Sequence, residues 1–490
     1  MAINNFEIVT SQRGKPQVLY EGKLYSQKPR NKTKKAKVYT DIYWTCTSNR
    51  NKCTASIVTD INITSILSTS DNHRPDCQQL SQKEQQYRKM YNSAKRKATE
   101  DVGDPPETVV TKKLRLADDK DKLQTNDLKN LKHLVYRERN RDIPHNIPKN
   151  VTQVFDQVDD IKLSPSFMTG STSLKEQYIY PFKQFGILFM TCITNLMWLC
   201  DSDNEHYLVD GTFSHRPKYF EQLYTIHVYR SGHYMALVHV ALPGKSEEIY
   251  NLMWTLLKQL CWDLCGKVLI INSLLVDYEL AAINSVRNHY QGLITGCRFH
   301  LSQAWFRFIQ KNNYLAHYSD DESPIGKWLR AFFGLSFLPA SMIDDAYLLL
   351  QARKPSQECD KFIDYITDNY IDDHVANFPP NLWAREVLDS RDVRTTNGPE
   401  AFHCRYNSHF KVAQPNIYKV LQALLLNQEK NFLIFNDLTC GLEKKQAKPQ
   451  LNKDDKVRET WVKYLNSQRT DDDLWKYLSF LGNRYKGKKL

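Results

Sequence analysis

The chain lacks the features that would place it in a membrane, a secretory route or a repeat array. No apolar run reaches the roughly 18 residues of a membrane span. The longest, Phe185 to Cys200, is broken by Thr191, Thr194 and Asn195, and reads as a buried strand or core helix. Residues 1–17 carry no apolar signal-peptide stretch. The 11 cysteines are odd in number and show no disulfide-scaffold spacing, which argues for a reducing compartment, cytosol or nucleus. Internal repeats and low-complexity tracts are missing, as are Gly-x-Ser-x-Gly and His-Glu-x-x-His. Gly244-Lys245-Ser246 mimics the end of a phosphate-binding loop. His239 stands where that loop needs its first glycine, which excludes a nucleotide site.

What is present is length and positive charge. At 490 residues the chain holds two or more folding units, and its net charge of +12 suits a polyanionic partner, nucleic acid first and an anionic membrane surface second. Residues 1–77 are rich in short Tyr, Thr, Val and Ile runs punctuated by Gly14 and Gly22, the pattern of a small β domain. Residues 78–149 are charged and poor in large apolar clusters, a linker with helical pieces over Lys83 to Thr99 and Asp127 to Asn140. Apolar content is high over residues 150–436, and residues 437–490 read as a polar helical tail with a basic end. Lys95-Arg96-Lys97 and Lys112-Lys113-Leu114-Arg115 are short basic clusters of the kind used for nuclear import or backbone contacts.

In the first segment, Cys46 and Cys53 follow the aromatic pair Tyr43-Trp44, and His73 lies in Asp71-Asn72-His73-Arg74-Pro75-Asp76-Cys77. A domain this small gains from a metal in place of a large core, and zinc takes four tetrahedral N, S or O ligands. Cys46, Cys53 and His73 supply three. With Leu19-Tyr20, Gly22, Tyr25, Tyr43-Trp44-Thr45-Cys46, Cys53-Thr54-Ala55 and the closing His73, residues 8–77 resemble a FLYWCH zinc finger. The resemblance implies Zn2+ and contact with DNA or protein. The family ends in His-x-His; here Asp71 holds the first of those positions, so the fourth ligand is Asp71 or Cys77, the alternative being a finger folded without metal. Lys34, Lys35, Lys37, Arg50 and Lys52 among Tyr39, Tyr43 and Trp44 suit phosphate contacts or a solvated loop.

In the second segment three acids stand out. Asp210 ends the β-prone apolar run within a strand read over Glu205 to Phe213, Asp277 ends the apolar run Lys267 to Val276, and Glu400 follows Asn397-Gly398-Pro399 at a helix start. Two strands, Tyr224 to Arg230 and Tyr234 to Leu242, join across Ser231-Gly232, and a helix spans Lys245 to Cys261. That order, with acids at strand ends, is that of an RNase H-like core. The expected fold is therefore α/β (α+β): an RNase H-like mixed sheet with a mainly helical insertion, plus the small β-rich zinc-finger domain. Three carboxylates suit a pair of Mg2+ or Mn2+ ions about 4 Å apart, which phosphodiester cleavage uses.

The surrounding motifs are Asp210-Gly211-Thr212-Phe213, Pro217, Gln222 to His227, Leu242 to Ser246, Asp277-Tyr278-Glu279, Gly296 to Ala304, and Trp383 through Thr396-Asn397-Gly398-Pro399-Glu400-Ala401-Phe402-His403. Over residues 125–430 they resemble the core of Mutator-like element (MULE) transposases. The resemblance implies that Asp210, Asp277 and Glu400 are the catalytic, Mg2+-binding acids of a transposase that cuts and joins DNA, in the nucleus, as a homo-oligomer on two DNA ends. The alternative is a domesticated, catalytically silent regulator that binds DNA through the first domain. Cys297 and His300 match the family's Cys-x-x-His. With two further ligands not evident nearby, their reading is structural. Glu279 is an auxiliary carboxylate or a first-turn helix residue, and His300 and His403 contact DNA, orient a carboxylate, or are structural. The carboxy-terminal Cys/His element of many relatives is missing.

Overall fold

The computed structural model describes residues 6–11, 15–28, 40–48, 53–77, 79–100, 106–116, 123–139, 146–170, 175–372, 375–386, 397–410, 412–444, 448–485 and 487. Gly14, Lys34, Lys35, Lys37, Tyr39, Arg50, Lys52 and Thr396, all singled out above, lie outside them. The chain forms two compact units, residues 1–145 and 146–490.

The first unit opens with a six-stranded antiparallel meander: β1 (Glu7–Thr10), β2 (Pro16–Tyr20), β3 (Lys23–Gln27), β4 (Asp41–Cys46), β5 (Ser56–Asp60) and β6 (Ile66–Ser70). Two residues, Glu21 and Gly22, join β2 to β3 with φ of 49° and 73°. Two successive positive φ values make the hairpin turn whose twist matches the strands, which is why a glycine sits there. Trp44 is fully buried, and its indole donates to Thr59 Oγ1 at 2.9 Å. The segment read as a linker with helical pieces over Lys83 to Thr99 and Asp127 to Asn140 forms three helices, Gln82–Glu100, Pro106–Arg115 and Thr125–Arg139. They share an apolar cluster of Met90, Ala94, Ala98, Val109, Val110, Leu131, Leu134 and Val135. Small alanines and single branched residues, spaced by helical turns, suffice where helices approach closely.

The second unit is built on a mixed sheet of seven strands. These are β9 (Ile179–Phe182), β10 (Ile187–Met190), β11 (His206–Thr212), β12 (Gln222–Arg230), β13 (His233–Leu242), β14 (Ser273–Val276) and β15 (Leu293–Gly296), in the order β15-β14-β11-β12-β13-β10-β9. A separate two-stranded ribbon pairs β7 (Met168–Gly170) with β8 (Lys175–Gln177). β11, β12 and β13 are antiparallel neighbours, with Ser231 and Gly232 (φ 48° and 82°) closing the β12–β13 hairpin. β14 and β15 run parallel to β11. The helices Glu247–Cys265 and Leu280–His289 make the crossovers that parallel pairing requires. Ser246 caps the first of them, Oγ accepting from the Ile249 amide at 3.4 Å, and Gly266 ends it at φ 62°. The Gly-Lys-Ser run is thus a helix cap. The run from Lys267 is a strand only over Ser273–Val276: Leu269 and Ile271 are 3% exposed while Val268 and Ile270 are 64% and 65% exposed, an alternation with one face in water.

Between Arg298 and Asn397 the described residues form helices and no strand. The segment expected to be a tail supplies the helices Lys448–Leu465 and Asp471–Tyr485, whose Tyr477, Leu478 and Leu481 join the main core. Gly482 permits this packing: a Cβ there would stand 2.0 Å from Arg330 O, on the helix Pro324–Leu335. No helix among the described residues is long and apolar enough to cross a membrane.

Candidate metal centre and carboxylate site

In the first unit Cys46 ends β4, its amide donating to Ala55 O at 3.0 Å, and Cys53 lies just before β5. After β6 the chain passes through His73 into a turn closed by Cys77 N–H to Arg74 O at 3.0 Å. That turn carries Cys77 back beside His73. The ligand atoms of Cys46, Cys53, His73 and Cys77 all lie within 4.8 Å of one another. Cys46 Sγ and Cys77 Sγ are 3.6 Å apart, and His73 Nδ1 is 3.4 Å from Cys53 Sγ and 3.3 Å from Cys77 Sγ. Tetrahedral zinc with bonds of about 2.3 Å to sulfur and 2.05 Å to nitrogen has S–S edges of about 3.8 Å and S–N edges of about 3.6 Å. The cluster fits the ion with small adjustments.

Asp71, the alternative fourth ligand, is exposed and outside this cluster; Cys77 takes its place. His73 Nε2 meets Tyr25 Oη at 2.9 Å, leaving Nδ1 for the sulfurs. Burial keeps the Tyr25 phenol protonated and pushes the Cys46 thiol up to about 11. Cys53 is held low because amides of Ala55 and Arg74 outweigh its burial. A bound zinc would take these sulfurs as thiolates and neutralise them.

These are the features of a small zinc-finger fold with a Cys3His site. Residues 8–74 match the FLYWCH zinc finger domain family. No curated protein and no solved structure matches the chain.

In the second unit the sheet register gathers residues far apart in sequence. β11 and β14 pair in parallel with Leu208 opposite Leu275, so two residues further on Asp210 stands level with Asp277. β14 and β15 pair with Val276 opposite Gly296, so Cys297 follows at the same level, its amide bonded to Val276 O at 2.7 Å. Gly296 is needed there: a Cβ would fall 2.5 Å from Tyr278 Oη. Adjacent strands lie about 4.8 Å apart, so three chemically active residues share the carboxyl end of the sheet. Such ends are where open α/β sheets bind ligands.

The helix Asn397–Ser408 packs against β11 and β13 and brings Glu400 and His403, one turn apart, to that end. His403 Nδ1 meets Asp210 Oδ2 at 2.9 Å, and His403 Nε2 meets Thr225 Oγ1 at 3.1 Å. Thr225 Oγ1 donates to Asp210 O at 3.0 Å, so it accepts from His403 and from His227 Nε2, 2.9 Å away. Burial, with His403 alongside, pushes His227 well down, and His239 is pushed down to about 3, chiefly by burial. Both rings flank Phe402, with centroids 5.3 and 5.2 Å away. Asp210 is 8% exposed.

Burial raises the Asp277 carboxyl and the Asp210 charge adds to it, against His300, the Glu279 amide and Lys245. Glu279 is raised chiefly by burial and by Asp277, against a Tyr250 hydrogen bond.

Glu400 has other company: its carboxylate, Cys297 Sγ and a His300 ring nitrogen lie within 4.8 Å of one another. Burial works against charge on His300, yet the Cys297 thiol, Asp277 and Asp210 hold its pKa up to about 9. The Cys-x-x-His pair therefore has a third ligand close by, which local spacing alone did not reveal. Sequence reading also missed Thr225 and His227, whose signal was polar residues within an otherwise buried strand.

Proposed function

We propose that this protein is a DNA transposase of the MULE type, with residues 8–74 as its DNA-contacting finger and Asp210, Asp277 and Glu400 as catalytic acids of an RNase H-like core. The observation that carries the reading is the parallel register of β11 and β14, which extends to set Asp210 level with Asp277, the residue next after β14, with the helix that bears Glu400 packed on β11. The strand order β13-β12-β11-β14-β15, with helices after β13 and β14, supports the RNase H-like reading of this mixed sheet. The net charge of +12 suits the DNA substrate. Metal ions, when bound, would activate water and steady the leaving oxygen. The chain's own part is to fix two carboxylates on rigid strand ends, to keep Asp210 oriented through His403, and to bury Asp277 so that a cation is favoured there. Nuclear location and assembly on two DNA ends follow from this reading.

The test is strand cleavage of labelled DNA carrying the element's terminal sequences, with Mg2+ or Mn2+, beside Asp210→Asn and Asp277→Asn. Nicking that needs metal and is lost in both variants, with DNA affinity kept, is the expected result. Equal nicking by either variant removes that acid from the site. A second reading is a DNA-binding regulator with a silent core. What favours it is that the family match lies wholly within residues 8–74. Tight binding without cutting, the same in all three proteins, is its signature.

A further inference from the structure

We propose that Cys297, His300 and Glu400 form a second zinc site, with three protein ligands and one open position, beside the Asp210–Asp277 pair. The proposal goes beyond the nuclease reading and does not rest on it. The three ligand atoms lie within 4.8 Å of one another, and tetrahedral zinc would set them about 3.4–3.6 Å apart, a closure of about an ångström. Two features hold the frame. Cys297 is fully buried and its backbone is bonded to β14. It immediately precedes the helix Arg298–Lys311, whose first-turn amides favour a thiolate, and His300 lies in that same first turn, three residues on.

An independent observation points to a ligand. His300 Nδ1 is buried and has no hydrogen-bond partner among the described residues. A buried ring nitrogen left without a partner costs free energy, which a metal bound at Nδ1 would remove. The donor set also selects the ion. A thiolate and an imidazole suit Zn2+ and repel the hard, oxygen-seeking Mg2+, whereas Asp210 and Asp277 offer oxygen alone. Three protein ligands and one free position is the pattern of zinc sites that take water or substrate as fourth ligand.

The experiment counts zinc in the full-length protein by mass spectrometry after dialysis. Wild type is expected to hold two equivalents, Cys46→Ser one, and Cys46→Ser with Cys297→Ser none. A single equivalent in wild type that Cys46→Ser abolishes overturns the proposal. So does retention of the second equivalent when Cys297 is replaced. Because Cys297→Ser alters a buried position, Co2+ is loaded separately into the Cys46→Ser protein. A thiolate-to-cobalt charge-transfer band in the near ultraviolet, weakened by Glu400→Gln, is expected; its absence again overturns the site. Two zincs in a protein that never cuts DNA would refute the nuclease reading alone and support this one.

Discussion

Replacing Cys77 by serine tests the metal centre of the first unit, because the structure sets Cys77 against Asp71 as fourth ligand. Cys77 is 9% exposed with its sulfur 3.6 Å from Cys46 Sγ and 3.3 Å from His73 Nδ1, whereas Asp71 faces solvent. Serine shortens the side chain and removes a soft donor, leaving three ligands. Zinc held at a thousand times its dissociation constant stabilises a fold by about 4 kcal/mol, and that term is largely lost with a ligand. The unit spans residues 1–145, a size at which each kcal/mol moves Tm by about 3 °C, so its transition should fall by about 12 °C. Asp71→Asn, an exposed change, should move stability by no more than about 0.5 kcal/mol. Differential scanning calorimetry of the full chain, with zinc counted after a chelator challenge, reads both. One transition should move in Cys77→Ser, with one zinc lost, and neither in Asp71→Asn. Zinc lost from Asp71→Asn but kept by Cys77→Ser would refute the ligand assignment.

Two further outcomes follow from the second unit. Asp277 has its carboxyl raised above the ordinary 3.8, so the stability it draws from its proton is present below that value and lost as pH rises through the raised one. Asp277→Asn should therefore melt higher than wild type at pH 7 without metal and lose that advantage toward pH 4, while added Mg2+ should raise the melting of wild type only; a variant that melts lower at pH 7 would count against a penalised carboxylate. Gly482→Ala should destabilise the unit by about 1–3 kcal/mol, read as a lower urea midpoint, because the new methyl meets Arg330 O at 2.0 Å; an unchanged midpoint would show that the two helices separate freely.

The parts of the fold legible in the sequence are those encoded locally. The β12–β13 hairpin was visible in Ser231-Gly232 between two β-prone runs, and the helix after β13 in the Ser246 cap and its periodic apolar face. Cys46, Cys53 and His73 stood out by their spacing among aromatic residues. What stayed hidden depends on packing. The cluster within residues 78–149 is built largely of alanine and single branched residues, which composition reads as too thin for a core. Tyr477, Leu478 and Leu481 looked like part of a polar tail because their helix is charged elsewhere, and its place against Pro324–Leu335 depends on Gly482.

The carboxylate site shows why distance along the chain hides so much. A parallel pairing puts the residue after one strand level with the residue after its neighbour, whatever number of residues lies between them. Asp277 and Cys297 follow that rule as the residues next after β14 and β15, and the β11–β14 register carries Asp210, inside the last part of β11, to their level. Reading each strand end separately reaches the two acids, because an acid after an apolar run is conspicuous. Cys297 and His300 stood out only as a Cys-x-x-His pair, and nothing in their local spacing pointed to Glu400 as a neighbour. Register sets Cys297 at the end of the sheet, and the packing of the helix Asn397–Ser408 there brings Glu400, 103 residues away in sequence, beside its sulfur and the His300 ring.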